Sequence, residues 1–289
     1  MSIKKEINVF NAISIPLVHF VGLIVAPLYL IFIKFSWLSL ILAVVWFFLC
    51  SFSITAGYHR LFTHRSYKCN FIVEWLWLLF GAASLQGSAR DWVYTHLLHH
   101  ASDTNYKIED PHDIKKGFWW AHWRWLFYKS VTGHVAFLEK KSFQFQHKHY
   151  LFLVIVFGFV WPGIIACLWH DFIGGVLLAG FLRVAVEWHM TWTINSIAHT
   201  YGTNLFKRPD QSRNNYFFSI FFVALGEMYH SFHHQFPRDY RNGHRKFDFD
   251  PSKWLIYLLS KIGWTWDLWI TPSRDVKRAL ENARKSAYK

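Results

Sequence analysis

Three histidine patterns in this chain have the types and spacing to do chemistry: His59-x4-His64, His96-x2-His99-His100 and His230-x2-His233-His234. A single His199 follows another apolar run. Neutral imidazole is the commonest side-chain ligand for transition metals, so these spacings point to a metal centre. Template counting gives about 0.07 chance copies of H-x-x-H-H at this histidine content. The chain has two, so composition alone does not explain them. On a helix, His96, His99 and His100 fall at i, i+3 and i+4, as do His230, His233 and His234, so each helix offers two or three imidazoles to one point. His59 and His64 lie about 140° apart on an ideal α-helix and converge only if it ends or bends near Arg60–Phe62. Asn195 shares a helix face with His199, and its amide could meet a metal directly or through water. Nine imidazoles exceed the four ligands of a structural zinc site and suit two metals at four or five each. Glu74, Glu227 and Asp239 are the candidate acceptors for the distal imidazole N–H groups. Imidazole suits both iron and zinc, so spacing leaves the metal open. The nine remaining histidines read as ordinary core or surface side chains.

These residues need a scaffold, and composition says where it sits. The chain is 53% hydrophobic and 20% aromatic, with 17 Trp and 29 Phe. That much apolar surface must be buried in lipid, or else exposed in patches few soluble monomers tolerate. Four segments approach or exceed the ~20 apolar residues that cross a bilayer: 13–33, 37–57, 151–169 and 172–197. They form two hairpins, turning near Lys34–Ser36 and His170–Asp171. Arg183, Glu187 and His189 lie in the fourth span and are expected to face the protein interior. The stretches 71–86 and 216–225 are too short to cross, and 253–270 resembles a helix lying in the membrane interface. The fold class is therefore all-α and integral to the membrane. Two helical hairpins carry a helical cap, 58–150 and 198–289, in a single domain over 1–289.

Charge sets the expected orientation. Residues 58–150 carry 12 Lys and Arg and residues 198–289 carry 15, whereas the two hairpin turns carry only Lys34. An excess of Lys and Arg marks cytoplasmic loops, which puts both termini and every histidine cluster on the cytoplasmic face. The membrane is then a bacterial inner membrane or the endoplasmic reticulum. Lys4 and Lys5 precede an apolar stretch with no small-residue cleavage site, which reads as an uncleaved anchor. Cys50, Cys69 and Cys167 have no metal-type spacing, and their odd number argues against a disulfide framework. The net charge of +13 is spread over loops, with no nucleic-acid motif. Membrane lipid and a phosphate-bearing substrate fit it better than nucleic acid. Redox metals at a membrane face beside an aromatic wall suggest O2-dependent attack on an unactivated C–H bond.

The segments HRLFTH (59–64), HLLHH (96–100), NSIAH (195–199) and GEMYHSFHHQFPRDY (226–240) resemble those of the membrane fatty-acid desaturases, with closest similarity to acyl-CoA Δ9 desaturases. The resemblance runs from about Thr55 to Asp267. It implies two iron ions bound by His59, His64, His96, His99, His100, His199, His230, His233 and His234, with Asn195 reaching one iron through water. It implies a cis double bond placed in a saturated sixteen- to eighteen-carbon acyl chain, at Δ9. The substrate would be an acyl-CoA, or another acyl thioester or lipid. O2 would be the oxidant, and an external carrier such as cytochrome b5 or a ferredoxin-like protein would supply electrons. Gln86, Trp92 and Thr191 match residues that hold a bent acyl tunnel in that family, and Phe47 matches a bulky residue at its closed end. Lys115 and Lys116, after Asp110-Pro111-His112, match a basic pair that meets coenzyme A phosphates. The chain departs from the family pattern at Leu97, Met228 and Ser231. It departs also at Tyr94 and Thr95, where an Arg-Asp pair holds the head group in animal enzymes. Two other readings compete. One is a related di-iron hydroxylase of a lipid or alkane, separated by a product that gains oxygen instead of losing two hydrogens. The other is a metal transporter, which the one-sided histidines oppose, since transport sites lie near the midplane.

Overall fold

The computed structural model describes residues 6–102, 105, 107–220 and 224–286; Lys4, Lys5 and part of the 216–225 stretch lie outside them. Four helices are long and apolar enough to cross a bilayer: Val9–Ile33, Trp37–Thr63, Tyr150–Trp169 and Phe172–Thr200. The chain is an all-α, multi-pass membrane protein. Among the described residues the one sheet is a minimal antiparallel pair, Lys68–Cys69 against Thr265–Trp266. The second span runs past its expected end at Gly57 to Thr63, so His59 lies on the span itself.

The chain divides into two compact units. The first comprises Met1–Ile54, Trp75–Thr95 and Trp123–His189. Its core holds Leu42, Trp46, Cys50, Ala83, Ala166 and Ala179. Small residues let its helices approach closely, as is common where apolar helices pack in lipid. A Cβ on Gly175 would come within 2.5 Å of the Pro162 carbonyl oxygen, and one on Gly22 within 2.6 Å of that of Phe181. Ile13, Phe32, Ile41 and Leu168 are exposed, as lipid-facing side chains can be.

Both expected hairpin turns are present, and side chains tie them together. Ser36 caps the second span by accepting the Ser39 amide, and Asp171 caps the fourth by accepting that of Gly174. The buried Asp171 carboxylate also accepts the Tyr29 hydroxyl at 2.6 Å and the Ser39 hydroxyl, while Lys34 donates to the His170 carbonyl. In the fourth span, Arg183 and Glu187 pair at 3.0 Å with both side chains almost fully buried. The same guanidinium donates to the carbonyls of Ala83, Gly158 and Ala179. An ionisable pair within a span persists only when its polar atoms are answered this way.

The second unit comprises Thr55–Glu74, His96–His122 and Met190–Lys289. Its largest fully buried side chain is Arg60, salt-bridged to Glu227 at 2.9 Å and Asp250 at 3.0 Å and donating to the Tyr240 carbonyl. Asp250 in turn caps the helix Pro251–Lys261 by accepting the Lys253 amide. The stretch 253–270 is not one interfacial helix. The helix stops at Lys261, Gly263 takes φ +73, and Thr265–Trp266 then runs as a strand. Glycine carries no Cβ penalty in that left-handed conformation, which ends the helix there.

Candidate metal centre

The spacing of five between His59 and His64 is served by a change of helix type. The second span is α-helical over Trp37–Phe52 and π-helical over Ser53–Thr63. The His64 amide hydrogen-bonds to the His59 carbonyl at 3.2 Å, the i→i+5 bond that defines a π turn. Residues five apart then sit one turn above each other, and the two rings meet edge to face at 4.9 Å. The helix neither ends nor breaks between them.

The two H-x-x-H-H helices do not each serve one point. All nine imidazoles gather, but in two groups: His59, His64, His96, His100 and His233 form one, and His99, His199, His230 and His234 the other. The helix Ala89–Ser102 gives its i, i+4 pair, His96 and His100, to the first group and His99 to the second. The helix His230–Gln235 does the reverse, giving His230 and His234 to the second and His233 to the first. Residues i and i+4 are nearly eclipsed along a helix, and i+3 is rotated away from them, so each motif is shaped to feed two adjacent centres.

The ring nitrogens show what such centres could hold. His59 Nδ1 faces the Glu227 carboxylate at 2.7 Å, His99 Nδ1 that of Asp110 at 2.9 Å, and His234 Nδ1 that of Asp210 at 2.9 Å. His199 Nδ1 donates to the Asp210 backbone carbonyl at 2.9 Å. Carboxylates and carbonyls accept, so these Nδ1 atoms carry the proton and the Nε2 atoms present lone pairs. Yet His99 and His234 point those lone pairs at each other, 3.1 Å apart. A cation held between them would remove this repulsion. Within the five-membered group, neighbouring Nε2 atoms are 3.0 Å (His59–His233), 3.2 Å (His64–His96), 3.1 Å (His96–His100) and 3.0 Å (His100–His233) apart. In the four-membered group, His199–His230 is 3.0 Å and His230–His234 is 2.9 Å. Metal–nitrogen bonds of about 2.1 Å place neighbouring ligands roughly 3.0–3.4 Å apart, so these spacings suit imidazoles gathered around a common metal ion.

Burial, reinforced by neighbouring rings, holds His64, His96, His100, His230 and His233 well below the ordinary histidine range. They stay neutral and able to bind metal at physiological pH. Asp110 and Asp210 lie well below the usual carboxylate range and Glu227 is also lowered. In each case burial opposes the shift, and facing histidines, with Arg208 beside Asp210 and Arg60 beside Glu227, outweigh it.

Of the three carboxylates expected to orient imidazoles, Glu227 does so. Asp239 instead pairs with Arg241 at 2.9 Å and accepts the Thr271 amide; Glu74 lies in the first turn of the helix Phe71–Ala83. Two orienting carboxylates escaped the sequence reading, Asp110 and Asp210. Each lies eleven residues after a gathered histidine, His99 and His199, and that repeated interval beside a proline was the available signal. Arg60 was missed as well, because only the fold brings Glu227 and Asp250 to it. His112, read as ordinary, packs its ring 4.4 Å from that of His99, and burial pushes it down to about 4.

Asn195 and Thr191 lie one and two turns before His199 on the helix Arg183–Thr200, half-buried, in the second unit. Gln86 and Trp92, also half-buried, belong to the first unit, as does Phe47, whose ring meets that of Phe48 edge to face at 5.4 Å. Lys115 and Lys116 line a cavity of about 390 Å³ in the second unit, with Lys107, Asp110, His112 and His199 also on its wall. Lys116 is paired with Glu109 there.

Residues 35–247 match the model of the fatty acid desaturase family. The chain belongs to that family. It is 39% identical over 236 residues to acyl-CoA desaturase 1 of Saccharomyces cerevisiae, covering 79% of this chain and 45% of that protein. It is 34% identical to a probable acyl-CoA desaturase of Schizosaccharomyces pombe, covering 92% of this chain and 55% of that one. The chain thus spans about half the length of these two relatives. It is also 32% identical to the sn-1 stearoyl-lipid 9-desaturase of Anabaena variabilis, over 91% of this chain and 94% of that protein.

Proposed function

We propose that this chain is an O2-dependent fatty acyl desaturase that places a cis double bond at Δ9 of a saturated sixteen- to eighteen-carbon chain. In this reading His59, His64, His96, His100 and His233 hold one iron ion. His99, His199, His230 and His234 hold a second, with Asn195 reaching it through water. The observation that carries the reading is the convergence of imidazole Nε2 atoms at 2.9–3.2 Å in two adjoining groups. When bound, the metal pair supplies O2 activation and the oxidising power to remove two hydrogens from neighbouring methylenes. The protein's part is to fix the imidazole tautomers through Glu227, Asp110 and Asp210, and to keep the ligands neutral by burial. Gln86, Trp92 and Thr191 hold the acyl chain bent, and Phe47 closes its tunnel. Electrons come from a separate carrier, cytochrome b5 or a ferredoxin-like protein. The histidine groups and both termini face the cytoplasm, a reading supported by the loop charges.

The favoured substrate is an acyl-CoA, with Lys115 and Lys116 on the coenzyme A phosphates. The Anabaena relative, which this chain matches over 94% of its length, supports acyl-lipid as a second reading. The test is purified iron-loaded protein with reductant, O2 and either stearoyl-CoA or a stearoyl glycerolipid. A product lighter by two hydrogens is expected from stearoyl-CoA. Turnover of the glycerolipid alone selects the second reading, and a product that gains oxygen identifies a hydroxylase. Orientation is tested by a cysteine at Lys115, which should resist an impermeant thiol reagent in intact cells while one at Lys34 reacts.

A further inference from the structure

We infer that Asp210, outside every histidine motif, is a positioning residue for two ligands at once and governs whether the four-imidazole group holds its metal. The inference rests on the reading that each histidine group binds one ion. Asp210 uses every acceptor it has. Its backbone carbonyl takes the His199 Nδ1 proton at 2.9 Å, and its Oδ2 takes that of His234 at 2.9 Å. Oδ2 also accepts Arg208 Nε at 2.8 Å, and Oδ1 accepts the Ser212 amide at 2.9 Å. The carboxylate is 4% exposed, so these bonds are shielded from water and hold their geometry.

The consequence follows from tautomers. His199 and His234 can present Nε2 lone pairs only while Nδ1 keeps its proton, and one residue holds both protons. In the same group His99 is held by Asp110, and His230 Nδ1 is buried with no acceptor among the described residues. Half of this group's ligands therefore depend on Asp210. The five-imidazole group draws its carboxylate from Glu227 instead. Asp110 and Asp210 are built alike, since each gives Oδ1 to the amide two residues on and Oδ2 to an imidazole. Among the described residues, Asp210 also lends its backbone carbonyl to an imidazole. An acceptor that orients a metal-bound imidazole typically contributes a factor of about 10–100 in metal affinity. Serving His234 through the side chain, Asp210 should contribute in that range, and selectively.

The test uses the full-length protein in detergent, loaded with isotopically enriched ferrous iron. Metal content and the Mössbauer spectrum are measured for wild type, Asp210→Ala, Asp210→Asn and Glu227→Gln. Wild type should hold two ions in two signals. Asp210→Ala should lose one signal and about half the iron, while Glu227→Gln perturbs the other. Asp210→Asn keeps a hydrogen-bond acceptor but not the charge. It should retain both ions, with the same signal shifted and about tenfold weaker binding in chelator competition. Asp210→Ala with both signals unchanged overturns the inference, as does loss of both signals together. If Asp210→Ala does not fold, Asp210→Asn decides: an unshifted spectrum and wild-type affinity overturn the inference. A wild-type protein holding fewer than two ions would instead overturn the two-metal reading on which it depends.

Discussion

Replacing Glu227 should separate two contributions that one carboxylate makes. Its Oε2 accepts His59 Nδ1 at 2.7 Å and Asn242 Nδ2 at 2.6 Å, and its Oε1 accepts Arg60 at 2.9 and 3.2 Å. Both charged side chains of the Arg60 pair are almost wholly buried. Removing one partner of a buried pair costs about 3–5 kcal/mol, because it strands the other charge. Asp250 remains on Arg60, so Glu227→Ala should fall near the lower end, about 3 kcal/mol. Freeing His59 Nδ1 adds a loss of about 10–100-fold in metal affinity, which is roughly 1.4–2.7 kcal/mol. Glu227→Gln keeps the volume and one acceptor, but turns an amide donor toward a group that also donates. Its affinity should fall with a smaller loss of stability. The assay is thermal unfolding of metal-free protein in detergent, paired with chelator competition for ferrous iron. Glu227→Ala that melts and binds iron as wild type does would show that this network orients nothing.

His233→Ala and His100→Ala should each release metal and abolish turnover while leaving membrane insertion intact; full activity in either would remove that side chain from the ligand set. Phe47→Ala should extend the acyl length accepted, read from the products of longer substrates, and an unchanged product profile would rule out its end-stop role. Gly175→Leu forces a bulky side chain against the Pro162 carbonyl and Ala166 and should lower the yield of folded protein in detergent gel filtration, whereas wild-type yield would mean the helices can part freely. The metal-free protein should lose stability as pH falls below about 6.5, the ordinary histidine value. Below it the unfolded chain takes up protons that the buried His64, His96, His100, His230 and His233 refuse in the fold. Above it their contribution is fully present. Melting temperatures that are flat from about pH 8 to 5 would contradict the neutral, buried state assigned to these rings.

The spans and the histidine motifs were legible because their signals are local. About twenty apolar residues, a turn residue, or H-x-x-H-H each fit within one stretch of chain, where spacing alone carries the information. Asp110 and Asp210 were partly legible, since each follows a histidine at the same interval; that regularity gains meaning only once each carboxylate is seen to face an imidazole. Arg60 and Asp250 were not legible at all. Arg60 is 167 residues from Glu227 and 190 from Asp250, and a buried arginine looks in sequence like any loop cation.

By itself, then, the sequence determined that the protein is helical, membrane-embedded and rich in imidazoles at metal-type spacings, since hydropathy and helical periodicity act within single segments. Only the tertiary structure decided how nine rings divide into five and four. That division depends on a π turn which brings residues five apart together, and on two H-x-x-H-H helices set so that each sends its i, i+4 pair to one group and its i+3 ring to the other. Only the tertiary structure, too, brings Glu227 to His59 and Asp210 to His234. The relative placement of separate helices is fixed by packing between segments, and no spacing within one segment records it.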